Sequence, residues 1–150
     1  MKSNIISVNE LKFFGNEKKF LSKCINKKWI SSNGPIIEEF EKKFSKLVNR
    51  KFGTTVSNGS AALEVAVQAL NLKPGDEIIL PAFTIISCCN AILKNKLKPI
   101  LIDCDPLTWN MDCSKIEEKI TKKTKAIMVV HIYGLTVDLD KILKIAKKYN

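Results

Sequence analysis

The fold is decided by residues 52–70, which read F-G-T-T-V-S-N-G-S-A-A-L-E-V-A-V-Q-A-L. The pattern predicts a short strand over residues 52–57 and a tight polar turn over residues 57–60. An almost wholly apolar helix follows over residues 60–71. Strand, turn and helix in this order are the repeating unit of α/β proteins.

The polar turn is a candidate anion site. The start of a helix presents free backbone N–H groups and the positive end of the helix dipole. Gly59 lets a ligand approach without a Cβ in the way, and Ser60 adds a hydroxyl group. A single glycine favours a phosphomonoester over the pyrophosphate of a dinucleotide. The alternative is an ordinary junction in which Ser57 or Asn58 only caps the helix.

Composition indicates one soluble domain. The chain has 150 residues and a formal net charge of +10, yet Arg50 is the only Arg and the Lys residues are spread over the whole sequence. Nucleic-acid sites favour clustered basic residues and Arg, so we expect a solvated surface and no nucleic-acid partner. The first residues lack a secretory signal, and no apolar run approaches the ~20 residues that span a bilayer. We therefore expect a cytoplasmic protein without a membrane partner.

The cysteine pattern argues against both disulfides and a metal centre. There are five Cys residues, an odd number, and they form no C-x-x-C or Cys/His ligand spacing. Cys88 and Cys89 lie in an apolar segment and are expected to pack rather than react. Free thiols in a reducing compartment are the prediction.

Strand and helix signals alternate along the rest of the chain. Two helices, over residues 15–28 and 35–49, come first and are joined by a Gly-Pro loop. Further on, a type II turn is predicted over residues 73–76. The later elements are strands over 77–80, 99–102 and 126–130, and helices over 84–94 (with a Thr84 cap), 112–121 and 138–149.

The strands are continuous apolar runs with short links to the helices. This pattern predicts an α/β fold of three layers, with a mostly parallel sheet covered by helices on both faces. Ligands of such sheets bind at the carboxyl ends of the strands. The segments expected to line one crevice there are 57–60, 81–84, 103–105 and 131–134.

Four side chains, three at these strand ends and one in an earlier loop, have alternative roles. His131, the only His, is either a base or ligand contact, or a structural residue at a strand terminus. Asp103 and Asp105 are either a carboxylate pair or metal site, or turn caps, and capping is the favoured interpretation. The loop residue Trp29 either covers a substrate ring or plugs the edge of the domain.

Six stretches together resemble the N-terminal part of the DegT/StrS-type sugar aminotransferases, in the family's order and spacing from about Gly15 onward. The resemblance is nearest to the perosamine-synthase-like branch. The six stretches are W-I-S-S-N-G-P-I-I-E-E-F-E-K-K-F, S-N-G-S-A-A-L, P-G-D-E-I-I-L-P-A-F-T-I-I-S, P-I-L-I-D-C-D-P-L-T-W-N-M-D, I-T-K-K-T-K-A-I-M-V-V-H-I-Y-G and V-D-L-D-K-I-L.

The resemblance implies a pyridoxal 5'-phosphate enzyme of fold type I, and it assigns cofactor contacts. Gly59, Ser60 and Ala61 would hold the cofactor phosphate through backbone N–H groups and the Ser hydroxyl. Ile85 stands where many members place an aromatic ring against the pyridine. An Ile covers the ring face by apolar contact without aromatic stacking.

The resemblance also implies substrate contacts and a division of the chain. Its substrate-binding candidates are Trp29, Ile30, Ser31, His131 and Tyr133. Residues 1–34 would form an N-terminal helix and substrate loop, and residues 35–150 an incomplete large, cofactor-binding domain. The complete protein would be a homodimer.

The catalytic side chains of the family have no counterpart here. By resemblance, the Asp that pairs with the pyridine nitrogen and the Lys that forms the Schiff base would follow residue 150, so none of the Lys residues present is assigned as catalytic. The implied reaction is amino transfer, with glutamate as the expected donor, to a nucleotide-linked 4-keto-6-deoxy sugar for surface glycan or antibiotic-type sugar synthesis.

Three other functions stay open. One is a sugar dehydratase of the same family, which carries a His in place of the Lys. The second is a truncated or split-gene product without catalytic activity. The third is the dinucleotide-binding domain of an oxidoreductase, disfavoured by the lone Gly59 and by the lack of a well-placed acidic residue for a ribose.

Overall fold

The computed structural model describes Ile6 and residues 10–149, and the chain falls into two compact units that divide between Thr55 and Val56. The domain boundary expected after residue 34 stays a prediction. Along the part of the chain that is described, no helix combines the length and apolar character needed to cross a bilayer.

The first unit contains the two predicted N-terminal helices. Helix α1 spans Glu17–Asn26 and helix α2 spans Pro35–Leu47, so both predictions are confirmed with slightly shorter ends. Pro35 occupies the first turn of α2, where its missing N–H group and fixed φ carry no cost. The Gly-Pro step therefore sets where the second helix begins.

The strand predicted over residues 52–57 is wrong, because this stretch has no regular structure. The backbone N–H group and the hydroxyl group of Thr55 donate to one carboxylate oxygen of Glu41 in α2, at 2.7 and 2.8 Å. Phe52 is 78% exposed. A strand forms only when a neighbouring strand accepts its backbone hydrogen bonds, and here a side chain of α2 takes that place for Thr55.

The second unit is the predicted α/β sheet. Its strands lie in the order β2-β1-β3, and both pairings are parallel, as expected. The elements of this unit are α3 (Gly59–Ala69), β1 (Glu77–Pro81), α4 (Ile86–Lys94), β2 (Lys98–Ile102), β3 (Thr124–Ile127) and α5 (Leu139–Tyr149).

Alternate residues of β1 pack on opposite faces of the sheet. Ile78 and Leu80 lie in an apolar cluster with residues of α3 and α4, including Val67. Ile79 lies in a second cluster with Ile142 of α5. Since side chains alternate along a strand, one buried strand supplies both clusters. The predicted three layers, with helices on both faces, are confirmed.

The helix predicted over residues 112–121 is wrong. Two short 3-10 turns, Cys113–Lys115 and Glu117–Lys119, occupy this segment. The Asp112 carboxylate accepts hydrogen bonds from the amide and the hydroxyl group of Ser114, at 3.0 and 2.6 Å. Such local side-chain bonds compete with α-helical ones. Asp112 nevertheless caps the first of these turns.

Two other boundaries differ from the predictions. Helix α4 begins at Ile86 after an extended Ile85, so the predicted Thr84 cap is wrong. The Thr84 hydroxyl oxygen instead lies 3.5 Å from the Cys88 sulfur. Strand β3 begins and ends earlier than the predicted 126–130. The apolar run of the sequence continues past Ile127, the last residue that pairs with β1, into the following loop.

The turn that leads into β1 is confirmed. The Asp76 amide donates to the Lys73 carbonyl at 3.0 Å, and Gly75 has φ +87°. A type II turn requires positive φ at its third residue, which Gly adopts without a steric penalty. This turn fixes the entry of the central strand into the sheet.

Candidate active site

The first turns of α3 and α4 meet in space. The hydroxyl oxygens of Ser60 and Ser87 lie 2.8 Å apart. A second link joins the same helices, because Lys94 Nζ donates to a carboxylate oxygen of Glu64 at 2.8 Å. Both helices cover the same face of the sheet through one apolar cluster. The packing of the core thus brings two helix N-termini together.

The N-terminus of α3 is only partly satisfied by its cap. The Asn58 side-chain oxygen accepts a hydrogen bond from the Ala61 amide at 3.0 Å, and the Asn58 carbonyl accepts one from the Ala62 amide at 3.1 Å. The amides of Gly59 and Ser60 donate to no residue within the described part of the chain. Two N–H groups of this helix therefore stay available.

Gly59 borders open space. A Cβ built on this residue would meet no other atom of the protein within 4 Å. No tight packing therefore accounts for a glycine here. The arrangement leaves room for an anion to approach the Gly59 backbone closely.

The N-terminus of α4 has a similar pattern. Its capping residue, Ile85, makes no side-chain cap bond, and the Cys88 amide donates to the Ile85 carbonyl at 3.0 Å. No described residue accepts a hydrogen bond from the amide of Ile86 or Ser87. Ile85 and Ile86 are 66% and 68% exposed.

The electrostatics of both helix starts favour a negative ligand. Neither α3 nor α4 has an acidic residue in its first turn, so no carboxylate neutralises the two positive dipole ends. Four amides that donate to no described residue, and two hydroxyl groups, lie around the contact between Ser60 and Ser87. Backbone amides and helix dipoles of this kind bind phosphate groups.

The structure places the predicted cofactor residues together, with one difference in detail. Gly59 and Ser60 lie at the start of α3, and Ile85 at the start of α4. The Ala61 amide already donates to Asn58, so an anion would have to displace the cap to use it. Sequence reasoning missed Ser87, which carried no signal beyond its place in an apolar helix.

A second group of candidates lies in the loop after β3. His131 Nδ1 accepts a hydrogen bond from the Val137 amide at 3.2 Å, so one ring nitrogen stabilises the loop and Nε2 is left for other contacts. Tyr133 is 90% exposed with φ 48°, and its ring centroid lies 6.5 Å from that of Phe83. Phe83 in turn contacts Trp109 edge-on, at 5.1 Å between centroids.

Asn110 fixes this loop to the segment after β2. Its side-chain nitrogen donates to the Leu135 carbonyl at 3.1 Å, and its oxygen accepts from the Ile132 amide at 3.2 Å. The residue is only 4% exposed, so both of its polar atoms are paired as burial requires. The quoted stretch T-W-N-M-D contains it, but no spacing rule indicated this role.

The two aspartates after β2 stabilise local structure. Asp105 Oδ1 accepts three hydrogen bonds, from the Leu107 amide and from the amide and hydroxyl group of Thr108. The Thr108 amide is the main cause of the lowered pKa of Asp105. The Asp103 carboxylate accepts a hydrogen bond from the Cys104 amide at 2.8 Å. These bonds to neighbouring backbone amides support the turn-cap interpretation.

The remaining candidates lie in the loop between α1 and α2 of the first unit. Trp29 is half-buried, with Lys23 Nζ 5.7 Å from its ring centroid. Ile30 is 81% exposed. The Ser31 hydroxyl group donates to the Asn33 carbonyl at 3.0 Å. These three residues are consecutive in this loop.

Comparison with known proteins identifies the family. The sequence model of the DegT/DnrJ/EryC1/StrS aminotransferase family matches residues 14–150 of this chain. The chain belongs to this family. Two relatives in it are GDP-perosamine synthases, from Escherichia coli O157:H7 with 45% identity and from Caulobacter vibrioides with 42%. Each alignment covers 97% of this chain but only 40% and 39% of the relative.

Solved structures of DegT-type proteins share the fold. NtdA from Bacillus subtilis, with bound cofactor PMP, matches with a TM-score of 0.82 and 36% identity over 88% of this chain and 31% of its own. A GDP-4-keto-6-deoxymannose-3-dehydratase with a trapped PLP-glutamate geminal diamine matches with a TM-score of 0.79 and 28% identity, over 88% of this chain and 36% of its own. The chain therefore has part of the fold of these pyridoxal-phosphate proteins.

Proposed function

We propose that this chain forms the phosphate-binding part of the pyridoxal 5'-phosphate site of a sugar aminotransferase. The observation that carries the proposal is the meeting of two helix N-termini at Ser60 and Ser87, whose hydroxyl oxygens lie 2.8 Å apart. Both helices have first-turn amides without a partner among the residues that the structure describes. A dianionic phosphate monoester fits this site because its oxygens can accept from several N–H groups at once. The relative NtdA binds PMP, which carries the same phosphate group.

Each cofactor-binding residue has a defined part in this proposal. Gly59 and Ser60 contact the phosphate through their amides and the Ser60 hydroxyl group, while the Ala61 amide retains its bond to Asn58. Exposed Ile85 covers one face of the pyridine ring. Pyridoxal phosphate, when bound, supplies an electron sink for bond changes at the substrate amine. The 150 residues bind and orient it, and none of their Lys residues is assigned as the Schiff-base amine.

For the whole protein we propose amino transfer to a nucleotide-linked 4-keto-6-deoxy sugar. The 45% identity to a GDP-perosamine synthase supports a GDP-linked sugar, and the glutamate trapped in a neighbouring structure supports glutamate as amino donor. Trp29, Ile30, Ser31, His131 and Tyr133 are the proposed substrate contacts. A cytoplasmic homodimer is the proposed state of the complete protein, and residues 1–34 its substrate-binding segment.

A sugar dehydratase is the second candidate. One neighbour of the same fold is a GDP-4-keto-6-deoxymannose-3-dehydratase, so this fold accommodates both chemistries. The family resemblance assigns the difference to a Lys or a His that would follow residue 150. The cofactor-phosphate site proposed for residues 59–60 and 85–87 serves either reaction.

Binding of pyridoxamine 5'-phosphate tests the site directly. This probe has no aldehyde, so it does not react with the surface Lys residues, and its fluorescence reports binding. We expect the 150-residue chain to bind it at least tenfold more tightly than pyridoxamine, which lacks the phosphate. Equal affinities for the two compounds would contradict the proposed site.

A chimera tests the proposed reaction. Residues 1–150 replace the matching part of the GDP-perosamine synthase of Escherichia coli O157:H7, and the unmodified enzyme is the control. With the GDP-linked keto sugar and glutamate, the chimera is expected to produce 2-oxoglutarate and the amino sugar. A folded, cofactor-loaded chimera without this activity would show that the chain does not support perosamine synthesis.

A further inference from the structure

We propose that Ser87 is a positioning residue for the cofactor phosphate, acting through Ser60. Its hydroxyl group donates to Ser60 Oγ, and the hydrogen of Ser60 is thereby directed at the phosphate. The inference rests on the proposed function, since it assumes that a phosphate binds at the start of α3. No sequence motif or family resemblance above assigned a role to Ser87.

The geometry supports a relay between the two hydroxyl groups. Their oxygens lie 2.8 Å apart, the usual length of an O–H···O hydrogen bond, and either oxygen can be the donor. A serine hydroxyl has one hydrogen and two lone pairs. If Ser60 accepts from Ser87, it keeps its own hydrogen for a ligand. If Ser60 donates to Ser87, its only hydroxyl hydrogen is no longer available for a hydrogen bond to the phosphate.

A bound phosphate selects the first orientation. A phosphate oxygen accepts hydrogen bonds but, as a dianion, donates none, so Ser60 must donate to it. Ser60 can then only accept from Ser87. Hydrogen bonds in such a chain polarise one another, which strengthens the bond between Ser60 and the phosphate.

Ser87 also restricts the motion of the Ser60 side chain. Ser60 is exposed, whereas Ser87 is half-buried in the first turn of a helix that packs on the sheet. A contact with the half-buried residue restricts the rotation of the exposed hydroxyl group before the ligand arrives. Such preorganisation improves affinity by reducing the ordering that binding requires.

The test is a double-mutant cycle read by binding of pyridoxamine 5'-phosphate to the 150-residue chain, with pyridoxamine as the control ligand. Compared are the wild type, S60A, S87A, S60A/S87A and S87T. We expect S60A to weaken binding about tenfold and S87A about three- to fivefold, as for the loss of one hydrogen bond. The double variant should bind like S60A, because Ser87 acts only through Ser60.

Two further readouts separate positioning from a structural role. S87T keeps the hydroxyl group and should bind like the wild type, and pyridoxamine should bind all variants equally. The 31P resonance of bound pyridoxamine 5'-phosphate should shift in S87A but not in S87T. Thermal unfolding by circular dichroism verifies that each variant is folded. If S87A is not folded, S87T still tests whether a hydroxyl group at this position supports binding.

The possible results also separate this inference from the proposed function. If the wild type prefers the phosphorylated ligand and S87A binds it equally well, the role of Ser87 is overturned while the phosphate site stands. Additive losses in the double variant, or a larger loss in S87A than in S60A, would likewise overturn it. If the wild type shows no preference for the phosphorylated ligand, both proposals fall.

Discussion

The side-chain oxygen of Asn58 accepts a hydrogen bond from the Ala61 amide at 3.0 Å, and this one contact decides which amides of α3 are available to a ligand. The cap satisfies the third residue of the helix, while the amides of the first two, Gly59 and Ser60, stay unpaired in the described structure. Asn58 is neutral, so it leaves the positive end of the helix dipole without a counter-charge.

Asn58→Asp should therefore separate stability from binding. The carboxylate still accepts from the Ala61 amide and interacts favourably with the dipole, so the free energy of unfolding should stay equal or rise by about 0.3–1 kcal/mol. The same charge repels a phosphate. Affinity for pyridoxamine 5'-phosphate should fall about five- to thirtyfold, or ~1–2 kcal/mol, in a fluorescence titration.

Asn58→Ala is the matched control for this variant. It removes the cap without adding charge, so it should lower the free energy of unfolding by about 1 kcal/mol. It should also free the Ala61 amide for an anion, and the affinity for pyridoxamine 5'-phosphate should fall less than in Asn58→Asp. If both variants bind alike, the charge at this position does not matter and the anion site is in doubt.

Gly59→Ala should also affect binding without affecting folding. A methyl group at this position meets nothing within 4 Å, and Ala is a better helix former than Gly, so stability should be unchanged or up to ~1 kcal/mol higher. The methyl group would occupy the space proposed for the phosphate. We expect at least tenfold weaker binding of pyridoxamine 5'-phosphate by fluorescence.

Gly75→Ala gives the opposite pattern and serves as its control. Gly75 also has open space around it, but its φ is +87°, so an Ala there is strained by about 1 kcal/mol or more. Urea unfolding should show a lower midpoint, with ligand affinity retained. Wild-type affinity in Gly59→Ala would contradict the close approach of a phosphate to that residue.

Glu77 should make stability dependent on acid pH. It is 4% exposed at the start of β1, and the Thr121 hydroxyl group donates to its carboxylate at 2.6 Å, with Lys98 Nζ at 3.2 Å. The Thr121 bond is the main cause of a pKa lowered from the ordinary value of 4.5. Because the folded-state pKa is depressed, the contribution is fully present above that ordinary value and is lost as the pH falls through the folded-state pKa.

Urea unfolding across this pH range tests the role of Glu77. Glu77→Gln removes the titrating group while keeping the shape of the side chain and one of its two acceptor oxygens. The variant should be less stable than the wild type at pH 7, and the difference should shrink below pH ~4.5. A difference that does not change with pH would show that the charge of Glu77 does not stabilise the sheet.

Asn110→Ala should loosen the loop that carries His131 and Tyr133. The substitution leaves the Leu135 carbonyl and the Ile132 amide, the two partners of the Asn110 side chain, without their hydrogen bonds. The loss of each hydrogen bond costs about 0.5–1.5 kcal/mol. We expect a lower thermal midpoint and faster proteolysis within residues 131–137, detected by mass spectrometry. Unchanged proteolysis would contradict the role of Asn110.

The sequence was sufficient to predict the parallel sheet and the start of α3 after the S-N-G-S turn because both follow from local patterns. Continuous apolar strands are typical of a sheet covered on both faces, and S-N-G-S before an apolar run indicates a helix start. The prediction of a strand over residues 52–57 was wrong because a strand needs the backbone of a neighbouring strand as hydrogen-bond partner. Here the Thr55 amide donates to the Glu41 carboxylate in α2 instead. The helix over 112–121 was wrong because Asp112 stabilises a tight turn.

The contacts that complete the candidate site could not be predicted from local sequence patterns. Ser60 and Ser87 are 27 residues apart, and they meet only because α3 and α4 pack on one face of the sheet. The buried role of Asn110 likewise depends on a loop 22–25 residues further along the chain. Such pairs become visible only when the tertiary packing is known.

In the proposed site, amides at the starts of α3 and α4 hold the phosphate of the cofactor. A 15N–1H NMR titration of the 16.9 kDa chain with pyridoxamine 5'-phosphate, compared with pyridoxamine, tests it most directly. We expect saturable shifts of the Gly59, Ser60, Ile86 and Ser87 amides with the phosphorylated ligand alone. Shifts confined to other residues, or equal shifts with both ligands, would contradict it.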